Sequence, residues 1–498
     1  MFRIVPAVLC TAMCRRAVFD RSMGEEGAVL RRGAMKARPW FDVRELRQLL
    51  RLAVPLLVAN LAQVGMGVVD TIVAGKAGTV EMAGAALGCS LVIPVLFAGS
   101  GLLSILGPMV SRLRGEGREG RVGLLIRDGL YFSLGLAAAA LVVLSAARGA
   151  FGLLSDDRDM VRIASDYVTA VMWGVPAFMV YCVFKSLFEG FELTNAVMAV
   201  SLGGLLCNIP ADLAFVFGWW GLPRLGGAGC GAATALIYWV QLGLILVLLA
   251  SSRRMKRHCV RLSSVRPPSW SGILSIFKLG FPLGVSVLCE ETFFSAASFV
   301  LACFGPVVVG AQQVSINVSS VCFSLPLSLG VAASLRMAWY VGRRDGEGVD
   351  ALARTGLCTT VAFSFLLMAV IILFRTRFIA CYTEDPALAA IAEGLLVLCA
   401  VYQCPDSIQS FLGGALRGMH DTAVISRVNI FTYWCVGFPL CLTLVRTNWV
   451  TESPGAAGAW VSFIAALLLT AVLLSLRYAK TRRKLFAEWA GGKKRASS

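Results

Sequence analysis

The sequence is poor in the residue types that most enzymes and metalloproteins rely on. Only two of its 498 residues are histidine, His258 and His420, and only 15% are charged. Its 16 cysteines include no CxxC pair, and most lie in apolar runs, which predicts packing positions rather than disulfides or a zinc site. No Walker A motif is present. We therefore expect a protein that is not an enzyme, has no cofactor and does not use ATP.

Apolar residues dominate instead, at 57% of the chain. Runs of about 18 or more apolar residues recur along its whole length, which predicts an all-α polytopic membrane protein. The formal net charge is +17. Because the basic residues lie between the apolar runs, we attribute them to membrane orientation rather than to nucleic-acid binding.

The pattern predicts twelve spans. They lie near residues 50–74, 82–111, 123–147, 164–188, 195–218, 229–250, 273–303, 308–341, 353–374, 389–413, 424–445 and 457–477. The apolar stretch near the start is too short to span. Residues 1–45 are therefore set aside as a tail, a leader remnant, or a start assigned too early, with Met35 as a workable start.

Lysine and arginine predict the orientation of these spans. The loop after span 6 carries six, the segment from Arg477 carries eight, and the loop after span 2 carries four. The loops after spans 1, 5, 7 and 11 carry at most one each. We therefore expect both termini on the cytoplasmic side of the membrane.

Weak self-similarity divides the chain into two halves. The segment RLAVP ending at Pro55 resembles KLGFP ending at Pro282, and GFELTNA from Gly190 resembles GMHDTA from Gly418. Both halves have six spans and hence one orientation, so their pseudo-twofold axis follows the membrane normal. We predict an N-lobe at 46–250, a basic linker at 251–272, a C-lobe at 273–480 and a basic tail at 481–498. Two such bundles that rock around a central cavity are typical of a secondary transporter.

Ionisable residues forced into the bilayer identify candidate sites in the first half. Asp70 follows Gln63 by seven residues in span 1, on the same helical face. Asn208 and Asp212 are four apart in span 5, with Pro210 between them, which predicts an oxygen-rich recess. Two alternatives stay open. Asp70 lies near the outer end and meets water, or the polar groups of span 5 pair only with neighbours.

The second half has a similar set. Glu290 lies roughly 26 Å along the helix of span 7, near the membrane interior. Tyr402 and Asp406 are four apart in span 10. Pro405 cannot donate to the carbonyl of Val401, which leaves that oxygen available. Two acids placed together favour sharing a proton or a monovalent cation.

Other polar residues in the spans are less specific. Gln313 and Asn317 lie in span 8, and Thr234 lies in a small-residue stretch of span 6 that is typical of helix packing. Lys185 and Glu189 are expected to form a structural pair. Arg336, near the inner end of span 8, is expected to snorkel toward the membrane surface.

Five stretches together resemble the multidrug and toxic compound extrusion (MATE) family, in its NorM-like branch. They are GMGVVDTIVAGKAGTVEMAGAALG, GAGCGAATALIYW, LGFPLGVSVLCEETFF, GAQQVSINVSS and AVYQCPDSIQSFLGGALRGMHDT, and the resemblance covers about residues 46–480. It implies twelve helices in two six-helix lobes around a V-shaped cleft. It also implies a place in the inner (plasma) membrane of a bacterial cell, and export of organic cations and amphipathic compounds, driven by inward Na⁺ or H⁺.

The resemblance also assigns site residues. Glu290, Tyr402 and Asp406 match the C-lobe cation site, with Na⁺ as a candidate ion, and Asp70 matches the acid of the N-lobe. Three further N-lobe residues match those of DinF-like relatives: Asn208, Asp212 and Thr234. NorM-like members often have an amide at position 212, so an acid there is a departure that leaves open which lobe couples transport.

Glu291 is a second departure, because an apolar residue is usual there. Adjacent helical residues point about 100° apart, so Glu290 and Glu291 cannot share a face. Glu291 either points into the cleft, where it attracts cationic drugs, or sits protonated against a neighbouring helix. We favour the cleft, together with Gln313 and Asn317.

We expect the partners to be small cationic or amphipathic substrates and the lipid bilayer, with no nucleic acid and a monomeric state. Alternatives are a lipid-linked saccharide flippase of the same superfamily, which would need embedded arginines, and a major-facilitator-type transporter. A polytopic membrane enzyme is a third, but no catalytic constellation is visible.

Overall fold

A computed structural model describes residues 41–153, 158–221, 223–252, 269–383, 385–447 and 455–496. These ranges are helical and contain no strand. Most of the predicted linker with His258, the first 40 residues and the last two residues lie outside them. The helices are α1 (Val43–Ala77), α2 (Thr79–Leu103), α3 (Leu106–Gly115), α4 (Val122–Arg148), α5 (Arg158–Met172), α6 (Val175–Gly190), α7 (Thr194–Phe217), α8 (Gly227–Ser251), α9 (Trp270–Leu301), α10 (Pro306–Arg343), α11 (Gly346–Ala380), α12 (Pro386–Gly418), α13 (Thr422–Asn429), α14 (Phe438–Arg446) and α15 (Ala456–Ala496).

The predicted all-α polytopic fold is confirmed. In the described ranges, eleven helical segments are long and apolar enough to cross a membrane, and the bent pair α5 and α6 supplies a twelfth. The bend is 48°. Pro176 is the second residue of α6, and because proline has no N–H it is tolerated in the first turn of a helix. The second span is likewise made of two helices, α2 and α3.

Each half of the chain packs as one bundle. In the N-lobe (α1–α8), α7 packs on α1 and α8, while α5 packs on α2 and α8. In the C-lobe (α9–α15), α12 packs against α10, α11 and α15. An aromatic core that includes Phe293, Trp460 and Phe463 fills the C-lobe. The polar residues of α7 and α12 are thus surrounded by helices of their own lobe.

The two lobes meet where α1, α2 and α3 pack on α9 and α10. The Ser111 hydroxyl donates to the backbone oxygen of Leu335 at 2.7 Å, and the Asn60 amide donates to the Ser328 hydroxyl at 3.1 Å. Gly284 of α9 lies so close to Leu102 of α2 that a Cβ atom would overlap it. Close approach of the two backbones therefore depends on this glycine.

The start of α1 and the end of α15 lie on one side of the molecule. We call this side the basic side. Arg112, Arg114, Arg118 and Arg121 lie there on α3 and its following turn. The interlobe hydrogen bonds and ion pairs formed by the described residues lie between the middle of the bundle and this side. The lobes are therefore closed against each other on the basic side.

The eleventh span contains an unusual winding. Residues Ile430–Gly437 form a π-helical stretch between α13 and α14. Pro439 follows it as the second residue of α14. Because Pro439 has no N–H and its ring crowds the carbonyl of Cys435, the α-helical ladder cannot continue there, and the wider turn accommodates the break. Tyr433 lies within this stretch.

Candidate functional site

The first candidate site lies inside the N-lobe, where α1, α7 and α8 meet. The Asn208 amide donates to Oδ1 of Asp70 at 3.1 Å, and the Thr234 hydroxyl donates to Oδ2 at 3.1 Å. The Cys230 thiol contacts the backbone oxygen of Asp70 at 3.5 Å. Each oxygen of the Asp70 carboxylate is thus held by a residue from a different helix.

Asp212 completes this N-lobe cluster. It is 0% exposed and lies one helical turn after Asn208 on α7, where its carboxyl interacts with the carboxyl of Asp70 and the amide of Asn208. Neither Asp212 oxygen reaches hydrogen-bond geometry with any donor in the described part of the chain. Two adjacent carboxyl groups with so few donors require a proton or a cation between them.

The local sequence explains why these residues converge. Asn208 and Asp212 share one face of α7 because they are four apart, and α7 packs directly on α1 and α8. Met66, Ala211 and Ala233 form a small apolar cluster at this junction. The structure thus brings together the four N-lobe residues that the resemblance assigns.

The second candidate site lies inside the C-lobe. Asp406 is 0% exposed, and both of its carboxyl oxygens lack a hydrogen-bond partner among the described residues. Glu290 on α9 interacts electrostatically with Asp406 and with Tyr402. Tyr402 is buried one turn before Asp406, and its ring meets Phe294, which is four residues after Glu290, at 6.2 Å. The three residues assigned to the C-lobe therefore face one another.

Two further polar residues join this C-lobe cluster. The Gln409 amide nitrogen donates to the Tyr433 hydroxyl at 2.8 Å, and the hydroxyl lies 3.1 Å from the Gln409 amide oxygen. Sequence reasoning missed both. Gln409 is three residues after Asp406 and hence on its face, which was an available signal. Tyr433 lies in the apolar run IFTYWCVGF, and only the π-helical winding sets its direction.

The residues assigned to the cleft lie on two helices, Glu291 on α9 and Gln313 and Asn317 on α10. Gln313 is exposed, and its amide donates to Oδ1 of Asn317 at 3.1 Å. Glu291 is partly exposed and follows the half-buried Glu290 on α9. Its backbone oxygen accepts a hydrogen bond from the Ser295 hydroxyl at 3.0 Å. Partial exposure leaves the Glu291 carboxyl in reach of a solute.

The chemistry of both clusters suits a monovalent cation or a proton. They offer carboxylate, amide and hydroxyl oxygens, which are hard ligands. Among the described residues, no group of three or more His, Cys, Asp or Glu side chains has an arrangement that could hold a metal ion. The clusters also lie inside membrane-spanning helices, where coupling ions bind in transporters built from repeats.

The apolar spans of the described ranges form two lobes with buried acids inside each lobe, and together they define a polytopic membrane transporter. The MatE family model matches residues 55–213 and again 282–443. The chain belongs to this family, the multidrug and toxic compound extrusion family that its motifs resemble. The two matches begin at Pro55 and Pro282, the prolines that the two halves share, which agrees with the internal repeat.

Several proteins named for multidrug resistance are similar to this chain. Multidrug resistance protein NorM of Vibrio cholerae is 36% identical over 435 residues, which is 87% of this chain and 95% of that protein. Multidrug resistance protein MdtK of Edwardsiella ictaluri is 34% identical over 438 residues, again 87% and 95%. These matches confirm the NorM-like branch.

Solved structures show the same fold. The eukaryotic MATE transporter AtDTX14 aligns with a TM-score of 0.80 and 18% identity, over 90% of this chain and 99% of that one. A multidrug resistance MATE family transporter in an outward-facing conformation aligns at 0.79 and 17%, over 88% and 96%. The predicted two-lobe architecture is therefore confirmed.

Proposed function

We propose that this protein is a secondary active antiporter that exports organic cations and amphipathic drugs in exchange for inward Na⁺ or H⁺. The observation that carries the proposal is Asp406, a fully buried carboxyl without a hydrogen-bond partner among the described residues, placed beside a second acid. Relatives named multidrug resistance proteins support drugs as the exported class.

The energetics favour an ion-coupled cycle. An unpaired buried carboxylate is disfavoured by several kcal/mol, so the clusters are stable only when a proton or cation neutralises them. Each positive charge that moves inward gains about 2.3 kcal/mol per 100 mV of membrane potential. If the bound ion lowers the affinity for the drug, the bound drug lowers the affinity for the ion equally, and this linkage gives antiport.

The conformation fits one stage of this cycle. The lobes are closed on the basic side, and the positive-inside rule assigns that side, with both termini, to the cytoplasm of a bacterial cell. The protein then lies in the inner membrane and is closed toward the cytoplasm. Ions enter at this stage, neutralise the acids, and the drug leaves before the lobes rock inward.

The oxygen count leads us to favour Na⁺. Each cluster contains several carboxylate, amide or hydroxyl oxygens, whereas a proton needs a single carboxylate. Na⁺ in such transporters is coordinated by several oxygens near the membrane midplane.

The chain's membership of the MatE family argues against a major-facilitator transporter. A lipid-linked saccharide flippase would hold a diphosphate with embedded arginines. Arg336, the arginine deepest in span 8, is instead engaged by Glu45.

Efflux of a cationic dye from proteoliposomes, under Na⁺ and H⁺ gradients imposed separately, tests this proposal. We expect dye export under an inward Na⁺ gradient, abolished by a sodium ionophore. A rate of dye export that is the same with and without each gradient would refute ion coupling. Gradient-independent movement of a lipid-linked sugar would favour the flippase.

A further inference from the structure

Tyr433 and Gln409 form a polar pair in an otherwise apolar region. Tyr433 is 2% exposed and stacks on Phe293 at 5.4 Å between ring centroids, with an interplanar angle of 8°. Phe293 in turn meets Phe463 edge to face at 5.1 Å. A phenylalanine at 433 and a leucine at 409 would fill the same space without burying polar atoms. Packing alone therefore does not account for the pair.

The pair adjoins the C-lobe acids through two helices. Gln409 lies three residues after Asp406, so the two side chains are neighbours on one face of α12. Phe293, on which Tyr433 stacks, lies three residues after Glu290 on α9. Tyr433 also interacts electrostatically with both Glu290 and Asp406. The phenol oxygen thus borders the cluster from a third helix.

The π-helical stretch sets this position. Tyr433 is the fourth of its eight residues, Ile430–Gly437. A π turn shifts each residue's angular position relative to an α-helix, and such turns are frequent at functional sites. The Tyr433 hydroxyl has two lone pairs, and one of them accepts from the Gln409 amide at 2.8 Å. The other lone pair is available to a cation.

We propose that the Tyr433 hydroxyl is a further oxygen ligand of Na⁺ in the C-lobe cluster, and that Gln409 is a positioning residue that holds it. This inference rests on the proposed function, because it assumes that Glu290, Tyr402 and Asp406 bind the coupling ion. It adds a ligand from the eleventh span, so that α9, α12 and the π-helical stretch all enclose the ion.

Binding of radioactive ²²Na⁺ to the purified full-length protein in detergent tests the assignment. We expect Tyr433→Phe, which removes one oxygen and keeps the ring stack, to raise the half-saturating Na⁺ concentration about tenfold. Tyr181→Phe is the matched control, since it removes a fully buried phenol oxygen from the N-lobe. The Na⁺ affinity of Tyr181→Phe should equal that of the wild type.

A double-mutant cycle separates the positioning role from a purely structural one. Gln409→Leu should raise the half-saturating Na⁺ concentration about threefold, and Tyr433→Phe/Gln409→Leu should be no weaker than Tyr433→Phe alone. Unfolding temperatures of the variants identify any that fold poorly. Independent, additive effects on Na⁺ affinity would refute the positioning role.

The assay also distinguishes the two proposals. Asp406→Asn should abolish the C-lobe component of Na⁺ binding. If it does so while Tyr433→Phe binds Na⁺ with wild-type affinity, the ligand assignment is wrong and the C-lobe site stands. If Asp406→Asn binds Na⁺ as the wild type does, the C-lobe ion site and the inference built on it are both wrong.

Discussion

Glu45 and Arg336 form a buried ion pair that joins the two lobes on the basic side. The guanidinium of Arg336 donates to the two Glu45 oxygens at 3.0 and 2.7 Å, and the Tyr340 hydroxyl also donates to Glu45. Both charged residues are about 5% exposed. Glu45 lies in the first turn of α1 and Arg336 in α10, so this contact must break when the lobes separate on that side.

Glu45→Gln should therefore favour the state that is open on the basic side. Breaking a buried ion pair costs about 3–5 kcal/mol, and here the cost falls on the closed state alone. We expect faster hydrogen exchange, measured by mass spectrometry, in the peptide that contains α3, which packs on α10.

Glu393→Gln is the control for that change. Glu393 pairs with Arg375 at 2.7 Å, but both residues belong to the C-lobe and are partly exposed. Hydrogen exchange of the α3 peptide in Glu393→Gln should match that of the wild type. Equal exchange in Glu45→Gln and wild type would show that the pair does not hold the lobes together.

The N-lobe cluster predicts a graded loss of ion affinity. Thr234→Val keeps the side-chain shape and removes the donor to Asp70, which should raise the ion concentration for half-maximal efflux about tenfold. Thr169→Val, a threonine on the exposed surface of α5, serves as the control. If the ion concentration for half-maximal efflux is the same in Thr234→Val and the wild type, the N-lobe cluster takes no part in coupling.

Glu291 should attract cationic substrates. Because its carboxyl is partly exposed, Glu291→Gln is expected to weaken binding of a cationic dye about threefold to tenfold, since it removes one nearby charge. A neutral dye of similar shape should bind equally well to both proteins. Fluorescence anisotropy measures both affinities, and equal affinity for the cationic dye would remove Glu291 from the substrate cleft.

His420, on the basic side, makes the stability of the protein depend on pH. It lies in the turn between α12 and α13, and the Arg112 guanidinium reaches its Nδ1 at 3.0 Å. Since a guanidinium only donates, Nδ1 must accept, and the ring is neutral. Burial and the neighbouring Arg112 lower the pKa of His420 to about 3.

Acid should therefore destabilise the protein through this residue. The unfolded chain takes up the proton below the ordinary histidine pKa of about 6.5, while the folded protein does not until about 3. Stability is thus fully present above pH 6.5 and falls by up to about 1.4 kcal/mol per unit below it. Between pH 7.5 and 5.5, the unfolding temperature in detergent should fall further in the wild type than in His420→Gln. An equal fall in unfolding temperature in the two proteins would contradict a role of His420 in the acid sensitivity.

The sequence predicted the spans and the repeat because these depend on composition and local order. A run of about twenty apolar residues forms a helix that spans a bilayer wherever it lies in the chain. The acids of the two clusters could likewise be identified, since a carboxyl inside a span has few other uses. The residues themselves paired Asn208 with Asp212 and Glu290 with Asp406, and the family resemblance completed the two sites. The structure places those residues together.

Contacts between distant helices could not be predicted in this way. The sequence places Glu45 at the end of the tail and predicts that Arg336 snorkels to the surface. The structure shows that Arg336 is instead buried against Glu45, because the lobes pack closely enough to exclude water there. Tyr433 was missed for a related reason, since a π-helical stretch changes side-chain direction without a sequence period that reveals it.

Ion-driven efflux by Asp406→Asn tests the central claim most directly. The amide keeps the shape of the side chain but cannot neutralise a cation or take up the coupling proton. Asp166→Asn is the matched control, because Asp166 forms an exposed ion pair with Arg162 on α5. In proteoliposomes with an inward ion gradient, Asp406→Asn should lose most gradient-driven export of a cationic dye, while Asp166→Asn exports at the wild-type rate. Wild-type export by Asp406→Asn would contradict the account.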